Sequence, residues 1–177
     1  MRRSEFLRGN IKGRDRPIRP PWSLPESSFI DLCTQCGDCI PACEEGLLQK
    51  GRGGYPVVNF NKGECFFCGD CVEKCNSGSL SKMLFQQEAA PWIHKVQVTE
   101  KCLNYQGVLC RSCGDRCPQR AIVFRPRTGG KVALEIELES CNGCGACVAP
   151  CPVQAIIMTT LSSTIAPTKK TELENCA

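Results

Sequence analysis

The chain has 177 residues, of which 42% are hydrophobic, 6% aromatic and 23% charged, with a formal net charge of +4. This length allows one or two domains, but a half of about 60 residues has too little apolar mass to be stable on its own core. No apolar run approaches the ~18 residues of a membrane span, so a membrane-spanning chain is excluded.

The N-terminal segment is basic. Residues 1–20 contain seven Lys or Arg against two acidic residues, a net charge of +5. The opening RRSEFLRG resembles a twin-arginine export motif, but the apolar core of a signal peptide does not follow it. We therefore interpret residues 1–24 as a basic, Pro-rich arm of a cytoplasmic protein. The segment 19–22, RPPW, is expected to be extended, because proline fixes its own φ and disfavours helix before it.

Two runs of cysteines follow the arm. Ser27 or Ser28 is a candidate cap for a helix that approaches the first run. The β-branched and aromatic segment 56–60, PVVNF, predicts a strand between the two runs. We assign residues 25–90 to one folding unit, unit 1. Its cysteines are Cys33, Cys36, Cys39 and Cys43 in the first run and Cys65, Cys68, Cys71 and Cys75 in the second.

The second half repeats this arrangement and defines unit 2, residues 91–161. Segments 93–98 and 132–138 alternate apolar with polar residues and predict half-buried strands. Behind the two runs come CPQRAIVF and CPVQAIIM, which predict a short turn and then a strand. The runs are Cys102, Cys110, Cys113 and Cys117, then Cys141, Cys144, Cys147 and Cys151. Residues 162–177 form a polar C-terminal tail.

Three of the four runs share the spacing C-x2-C-x2-C-x3-C, the ligand pattern of bacterial-type [4Fe-4S] ferredoxins. The third run differs, with seven residues between Cys102 and Cys110. The enlarged loop, residues 104–109, is a candidate contact surface or a tolerated insertion. Pro118 and Pro152 directly follow the last cysteine of their runs, as in bacterial ferredoxins. In unit 1, Glu44 and Asn76 occupy the equivalent positions. The pattern predicts an α+β fold of two tandem 2[4Fe-4S] ferredoxin-like units that bind four [4Fe-4S] clusters.

Three thiolates within seven residues can wrap one face of a cubane, so the fourth must come from elsewhere. In two-cluster ferredoxins the last cysteine of each run ligates the neighbouring cluster. If the runs pair in order, unit 1 holds site 1 and site 2, and unit 2 holds site 3 and site 4. These sites are Cys33, Cys36, Cys39 and Cys75 (site 1); Cys65, Cys68, Cys71 and Cys43 (site 2); Cys102, Cys110, Cys113 and Cys151 (site 3); Cys141, Cys144, Cys147 and Cys117 (site 4).

Two rival interpretations of the cysteines are weaker. Disulfides need an oxidising compartment, and proteins sent to one usually carry a signal peptide, whose apolar core does not follow the opening motif of this sequence. Structural zinc takes two short cysteine pairs separated by a dozen or more residues. Cys176 lies outside the four runs and is interpreted as a bystander thiol. Four oxidised clusters of charge about −2 would change the total from +4 to roughly −4, so nucleic-acid binding through bulk charge loses its support.

No substrate site is recognised. The sequence has no dinucleotide fingerprint, no phosphate loop and no acid–base constellation around its single histidine, His94. Clusters with four cysteine ligands also lack the open iron position that substrate chemistry needs. The sequence therefore predicts a protein that is not an enzyme, and that moves electrons, senses redox state or assists a partner.

Several segments in order resemble the NapF family, the ferredoxin-type accessory proteins of periplasmic nitrate reductase systems. They are RRSEFLRG, RPPWS, CTQCGDCIPACE, ECFFCGDCVEKC, the Pro91-Trp92 pair, KCLNYQGVLCRSCGDRC and CNGCGACVAPCPVQAI. The resemblance implies a cytoplasmic protein that contacts the precursor of the nitrate reductase catalytic subunit before export and helps its iron–sulfur centre to be assembled or reduced. A general electron-transfer polyferredoxin subunit of a respiratory or catabolic oxidoreductase is the alternative, and a donor of iron and sulfide is a third hypothesis.

Overall fold

The computed structural model describes residues 17–84, 91–130 and 132–160. Most of the predicted arm, and the C-terminal tail with Cys176, lie outside the described residues. The described chain alternates short helices with short antiparallel strands. The elements are α1 (Glu26–Leu32), β1 (Leu48–Lys50), β2 (Pro56–Val58), α2 (Asp70–Glu73), β3 (His94–Val98), α3 (Ser112–Asp115), β4 (Ile122–Pro126), β5 (Val132–Ile136) and β6 (Ile156–Thr160). Single 3₁₀ turns cover Arg52–Gly54, Lys82–Leu84 and Thr128–Gly130.

Unit 2 has two complete strand pairs. Its first and last strands, β3 and β6, pair antiparallel from His94↔Thr160 to Val98↔Ile156. The two strands between them, β4 and β5, form a hairpin from Ile122↔Ile136 to Pro126↔Val132. The strands predicted before the third and fourth runs and behind them are therefore confirmed.

Unit 1 has one complete strand pair and a reduced second one. The hairpin of β1 and β2 is present, although β2 ends at Val58 and is shorter than the predicted strand 56–60. The outer pair is reduced to a single antiparallel bridge between Leu80 and Ser23, a residue at the end of the predicted arm. In chain order, the helix α1 precedes the first cysteine run as the strand β3 precedes the third, so both units have a hairpin but differ in the element before it.

The start of α1 corrects one prediction. The N-cap is Pro25, whose side chain cannot accept a hydrogen bond from the first helical N–H groups, and Ser27 and Ser28 lie inside the helix. Proline suits this position because its fixed φ is compatible with a helix start and its missing N–H has no intrahelical partner there. The helix then buries Phe29 completely, at 0% exposed, and this contact attaches it to the hairpin of unit 1.

The segment before α1 is not extended as predicted. Pro21 and Trp22 form a turn, and Trp22 has a φ of +59°, in the left-handed region. Two contacts fix this geometry: the Trp22 N–H donates to the Pro91 carbonyl at 2.8 Å, and its ring meets Phe67 edge-on at 6.3 Å. The Trp22 ring thus packs on unit 1, while its backbone reaches the start of unit 2.

Three apolar clusters organise the interior, and the cysteines are part of each. One lies within unit 1 around Phe29, Leu48 and Leu80, and one within unit 2 around Val96, Ala121, Ile122 and Ile156. The third, around Leu47, Phe60 and Trp92, joins the units. The Trp92 ring lies 5.7 Å from both Phe60 and Phe67, edge-on to each. The units thus form one packed body around this aromatic cluster.

Candidate metal centres

The four cysteines of site 3 surround one cavity. Cys102, Cys110, Cys113 and Cys151 line it together with apolar side chains from β3, β6 and the third run. The cavity has an empty volume of about 340 Å³, part of which opens to solvent. The thiols therefore lie around a space instead of meeting at a point, an arrangement that suits a cluster whose irons each take one ligand.

The cysteines of site 4 line a second cavity of about 300 Å³. Cys117, Cys141, Cys144 and Cys147 contribute to it, with apolar walls that include Val96, Ala121 and Met158. In both sites of unit 2, the last cysteine of one run therefore lies with three cysteines of the other run. This is the crossed arrangement that the spacing predicts.

The cysteines of unit 1 have the same crossed arrangement, which is seen in the neighbours that raise the pKa of its buried thiols. The pKa of Cys39 is raised to about 11, first by burial and then by the charges of Cys75, Cys33 and Cys36. The pKa of Cys71 is raised to about 12, first by burial and then by the charges of Cys65, Cys68, Cys39 and Cys43. Cys75 thus lies among the thiols of the first run, and Cys43 among those of the second.

The same forces act in unit 2. The pKa of Cys113 is raised to about 11 by burial and then by Cys102, and that of Cys147 to about 12 by burial and then by Cys144 and Cys141. Such thiols stay protonated at neutral pH unless a cation compensates their charge. Metal loading must therefore displace protons and supply positive charge, which a cluster core with four thiolate ligands does. The donor set and the cavities fit [4Fe-4S] clusters.

A repeated backbone turn presents N–H groups to the ligand sulfurs. The residue three positions after the last cysteine of each run has a positive φ: Gly46 (+62°), Gly78 (+71°), Arg120 (+50°) and Gln154 (+50°). In unit 2 the next N–H then points back at the cysteine, from Ala121 to Cys117 Sγ at 3.3 Å and from Ala155 to Cys151 Sγ at 3.2 Å. Non-glycine residues adopt this conformation rarely, so the turn is built at some cost to hold these donors.

The enlarged loop of the third run folds back on itself beside site 3. Its backbone is closed by hydrogen bonds from the Gln106 N–H to the Cys102 carbonyl at 3.2 Å and from the Val108 N–H to the Leu103 carbonyl at 2.9 Å. Its tip is apolar and exposed, with Tyr105 at 53%, Val108 at 52% and Leu109 at 69%. The insertion therefore keeps Cys102 in place and adds an apolar surface next to that cysteine.

Sites 2 and 4 meet where the two units join. The N–H of Cys65, a site 2 cysteine, donates to the carbonyl of Cys144, a site 4 cysteine, at 2.9 Å. Beside this contact, Glu64 accepts a hydrogen bond from Arg116 at 2.9 Å, and these two residues immediately precede Cys65 and Cys117. Sequence patterns do not predict this junction, because the paired residues are far apart in the chain.

Sequence analysis also does not identify two serines that lie beside Cys75. Ser77 and Ser79 place their hydroxyl oxygens 3.5 and 3.4 Å from Cys75 Sγ. The signal that could have found them is the sequence after the last cysteine of each run. Aligned on that cysteine, Ser79 occupies the position of Ala121 and Ala155 in unit 2.

Comparison with known proteins agrees with this architecture. Residues 32–80 and residues 108–155 each match a family described as the 4Fe-4S dicluster domain. The second match begins after Cys102, so the placement of this cysteine at site 3 depends on the cavity described above.

The chain is also similar to curated proteins along most of its length. It is 43% identical over 169 residues to the ferredoxin-type protein NapF of Haemophilus influenzae, covering 90% of this chain and 94% of that protein. It is 45% identical over 154 residues to the protein of the same name from Escherichia coli K12, covering 87% and 92%. The methylamine utilization ferredoxin-type protein MauM of Paracoccus denitrificans is 33% identical over 150 residues, covering 77% and 67%. In the part of the chain that the structure describes, no helix is both long and apolar enough to cross a membrane.

Proposed function

This chain belongs to the NapF family of ferredoxin-type proteins, and we propose that it is an electron-transfer accessory protein in which each of the four sites holds one [4Fe-4S] cluster. The sixteen cysteines of sites 1 to 4 are the ligands, and the backbone N–H groups of residues such as Ala121 and Ala155 donate to their sulfurs. When bound, such clusters supply one-electron redox chemistry at potentials set by their surroundings.

The junction between sites 2 and 4 carries this proposal. Because Cys65 and Cys144 are joined by a backbone hydrogen bond, the two dicluster units share a boundary at which one site adjoins another. Within unit 1, Cys39 of site 1 contributes to the pKa of Cys71 in site 2, and within unit 2, Cys113 of site 3 contributes to that of Cys147 in site 4. The sites therefore follow each other in space in the order 1, 2, 4, 3. A contiguous series suits electron transfer through the whole chain better than four independent structural metals.

The partner we propose is the precursor of the catalytic subunit of periplasmic nitrate reductase. The protein would contact this precursor in the cytoplasm before export and help its iron–sulfur centre to be assembled or reduced. Family membership supports this role. The basic arm, residues 1–24, and the apolar loop tip beside site 3 are the surfaces that we assign to the contact, because the loop exposes Tyr105 and Leu109 next to a cluster ligand.

A general electron-transfer polyferredoxin is the second candidate. The observation that favours it is the similarity to a protein named for methylamine utilization, which covers 77% of this chain. An architecture shared with that system is not restricted to one partner. Under this alternative, binding to a partner is transient and coupled to turnover, whereas an accessory protein binds an immature precursor stably.

The test combines metal analysis with a binding experiment. The full chain is purified without oxygen and its iron and sulfide are quantified, with about sixteen irons expected for four cubanes. The loaded protein is then used to capture the nitrate reductase catalytic precursor and, separately, its mature form. The variant Leu109→Ser tests the loop surface, and Met83→Ser, at an equally apolar side chain that is 95% exposed in unit 1, is its matched control.

Selective capture of the precursor, weakened by Leu109→Ser and unchanged by Met83→Ser, supports the accessory role. Sixteen irons with equal affinity for precursor and mature enzyme would favour the electron carrier instead. Zinc in place of iron would overturn both candidates.

A further inference from the structure

One buried hydroxyl distinguishes site 1 from the other three sites. The position four residues after the last cysteine of each run is occupied by Leu47, Ser79, Ala121 and Ala155, and each of these side chains is 1% exposed. Three of the four equivalent positions are therefore apolar. Among the described residues, Ser79 is the one polar side chain in the fully buried set, and a polar group buried this deeply requires a hydrogen-bond partner.

That partner is the sulfur of Cys75. Ser79 Oγ lies 3.4 Å from Cys75 Sγ, and Ser77 Oγ lies 3.5 Å from the same sulfur. The two hydroxyls are also linked to each other, because Ser77 Oγ donates to Ser79 Oγ at 3.0 Å and the Ser79 N–H donates to Ser77 Oγ at 3.4 Å. A thiolate that ligates iron has no proton of its own, so in the loaded protein the sulfur accepts. Since the one hydroxyl proton of Ser77 goes to Ser79 Oγ, the Ser79 hydroxyl donates to the sulfur directly and Ser77 acts through Ser79.

These hydrogen bonds stabilise the negative charge of the Cys75 thiolate. Hydrogen bonds to an ionised acceptor are stronger than neutral ones, and linked hydroxyls polarise one another. The stabilisation therefore increases with the negative charge that the sulfur carries.

We propose that the Ser77 and Ser79 hydroxyls raise the reduction potential of the cluster at site 1. This inference rests on the proposed function, in which Cys75 is a ligand of that cluster. Reduction adds one electron from a low-potential one-electron donor, and no proton is taken up and no bond is broken. The added charge is shared by the ligand sulfurs, so a donor at Cys75 stabilises the reduced form more than the oxidised form. Site 1 thus holds the electron more firmly than it would with alanine at position 79.

The test is the variant Ser79→Ala in the full chain, loaded with clusters and titrated against an applied potential while its electron paramagnetic resonance is recorded. Alanine fits this environment, since it occupies the equivalent buried positions 121 and 155. We expect one midpoint potential to fall, with the equilibrium constant for reduction lowered by roughly threefold to tenfold, tenfold being ~59 mV for a one-electron couple. The control is Ser112→Ala, whose hydroxyl lies 3.8 Å from Cys110 Sγ and should shift a potential much less.

The outcomes separate this inference from the proposed function. A protein with about sixteen irons and four clusters whose potentials are no more changed by Ser79→Ala than by Ser112→Ala overturns the role of the hydroxyls and leaves the electron-transfer function standing. Absence of clusters in the wild type overturns both. If Ser79→Ala loses iron, Ser77→Ala, which leaves the buried position intact, carries the test: its potential must fall, and an unchanged or higher value overturns the inference.

Discussion

Units 1 and 2 share a cysteine pattern, but the secondary structure that stabilises each unit is different. Unit 2 has two strand pairs of five residues each, and its first and last strands close the unit. Unit 1 has a three-residue hairpin, a single bridge between Ser23 and Leu80, and the helix α1 in place of an outer strand. The same cysteine pattern is therefore compatible with different amounts of secondary structure around it. Where strands are short, the metal must contribute more of the stability.

Charge separates the units as well. Before clusters are counted, residues 25–90 carry nine acidic and five basic side chains, a net charge of −4, whereas residues 91–161 carry eight basic and five acidic, a net charge of +3. The ion pair between Glu64 and Arg116 joins them with matching signs. The arm is basic and its end is fixed on the acidic unit, where Arg19 pairs with Glu26 at 2.7 Å.

Removal of all iron should have the largest effect and should affect unit 1 first. We expect chelation to abolish most of the far-ultraviolet circular dichroism, because neither unit has enough apolar core to fold without its metal. Hydrogen exchange during partial chelation should show unprotected amides in β1 and β2 before β3 and β6. A native-like dichroism spectrum after complete chelation would contradict this dependence on metal.

The substitution Phe29→Ala tests how unit 1 compensates for its missing strand. Phe29 is 0% exposed and its ring is covered by Arg19 at 5.0 Å, so we expect a loss of ~3–5 kcal/mol. The matched variant Ile156→Ala removes a side chain from β6 in unit 2, at a cost of ~2–5 kcal/mol. Iron quantification should show that Phe29→Ala releases iron from sites 1 and 2 and retains it in sites 3 and 4. Equal loss from both units would show that they unfold as one.

The contact between the units can be broken at Gly145. This residue has a φ of +82°, and a Cβ there would collide with the Phe60 ring, so Gly145→Ala should cost ~1–3 kcal/mol through backbone strain and overpacking. The control is Gly129→Ala, which has a similar φ of +74° but no atom within 4 Å of the added Cβ. Calorimetry should show the transitions of the two units further apart in the Gly145 variant than in the wild type or the Gly129 variant. A single transition of unchanged width would mean that other contacts hold the units together.

Mild acid should have the smallest effect, confined to unit 2. Burial lowers the pKa of His94, so the folded state favours the neutral ring. The resulting stability is fully present above the ordinary pKa of about 6.5 and is lost as the pH falls towards the lowered value. The thermal midpoint of the loaded protein should therefore fall more between pH 7.5 and pH 5.5 than that of His94→Gln, which can keep the hydrogen bond to Thr160. Identical pH profiles would assign the acid sensitivity to other groups.

Local chemistry made part of this structure predictable. The cysteine spacing and the near-repeats CPQRAIVF and CPVQAIIM indicated the turns and strands of unit 2, because ligands and alternating apolar residues act over a few positions. The same reasoning failed at Trp22, whose left-handed φ depends on contacts with Pro91 and Phe67. It also failed at the start of α1, where Pro25 took the cap position that Ser27 or Ser28 was expected to fill.

The missed features depend on contacts that are distant in sequence or on differences between repeats. Cys65 meets Cys144, and Glu64 meets Arg116, across a boundary that no local pattern describes. The role of the hydroxyls beside Cys75 depends on their burial and on their distance to the sulfur, and neither can be read from the sequence. The sequence thus predicts which cysteines are ligands, whereas their surroundings follow only from the fold.

The crossed arrangement of cysteines has a consequence for synthesis on the ribosome. Every cysteine of site 2 lies between residues 43 and 71, and site 1 is complete once residue 75 has been made, so unit 1 can receive iron while the chain is still growing. Sites 4 and 3 are complete only at residues 147 and 151. At ~5–20 residues per second, the interval between the two pairs is on the order of 4–15 s. The protein is thus expected to emerge half loaded, with its second pair of sites still open to oxidation or to the wrong metal.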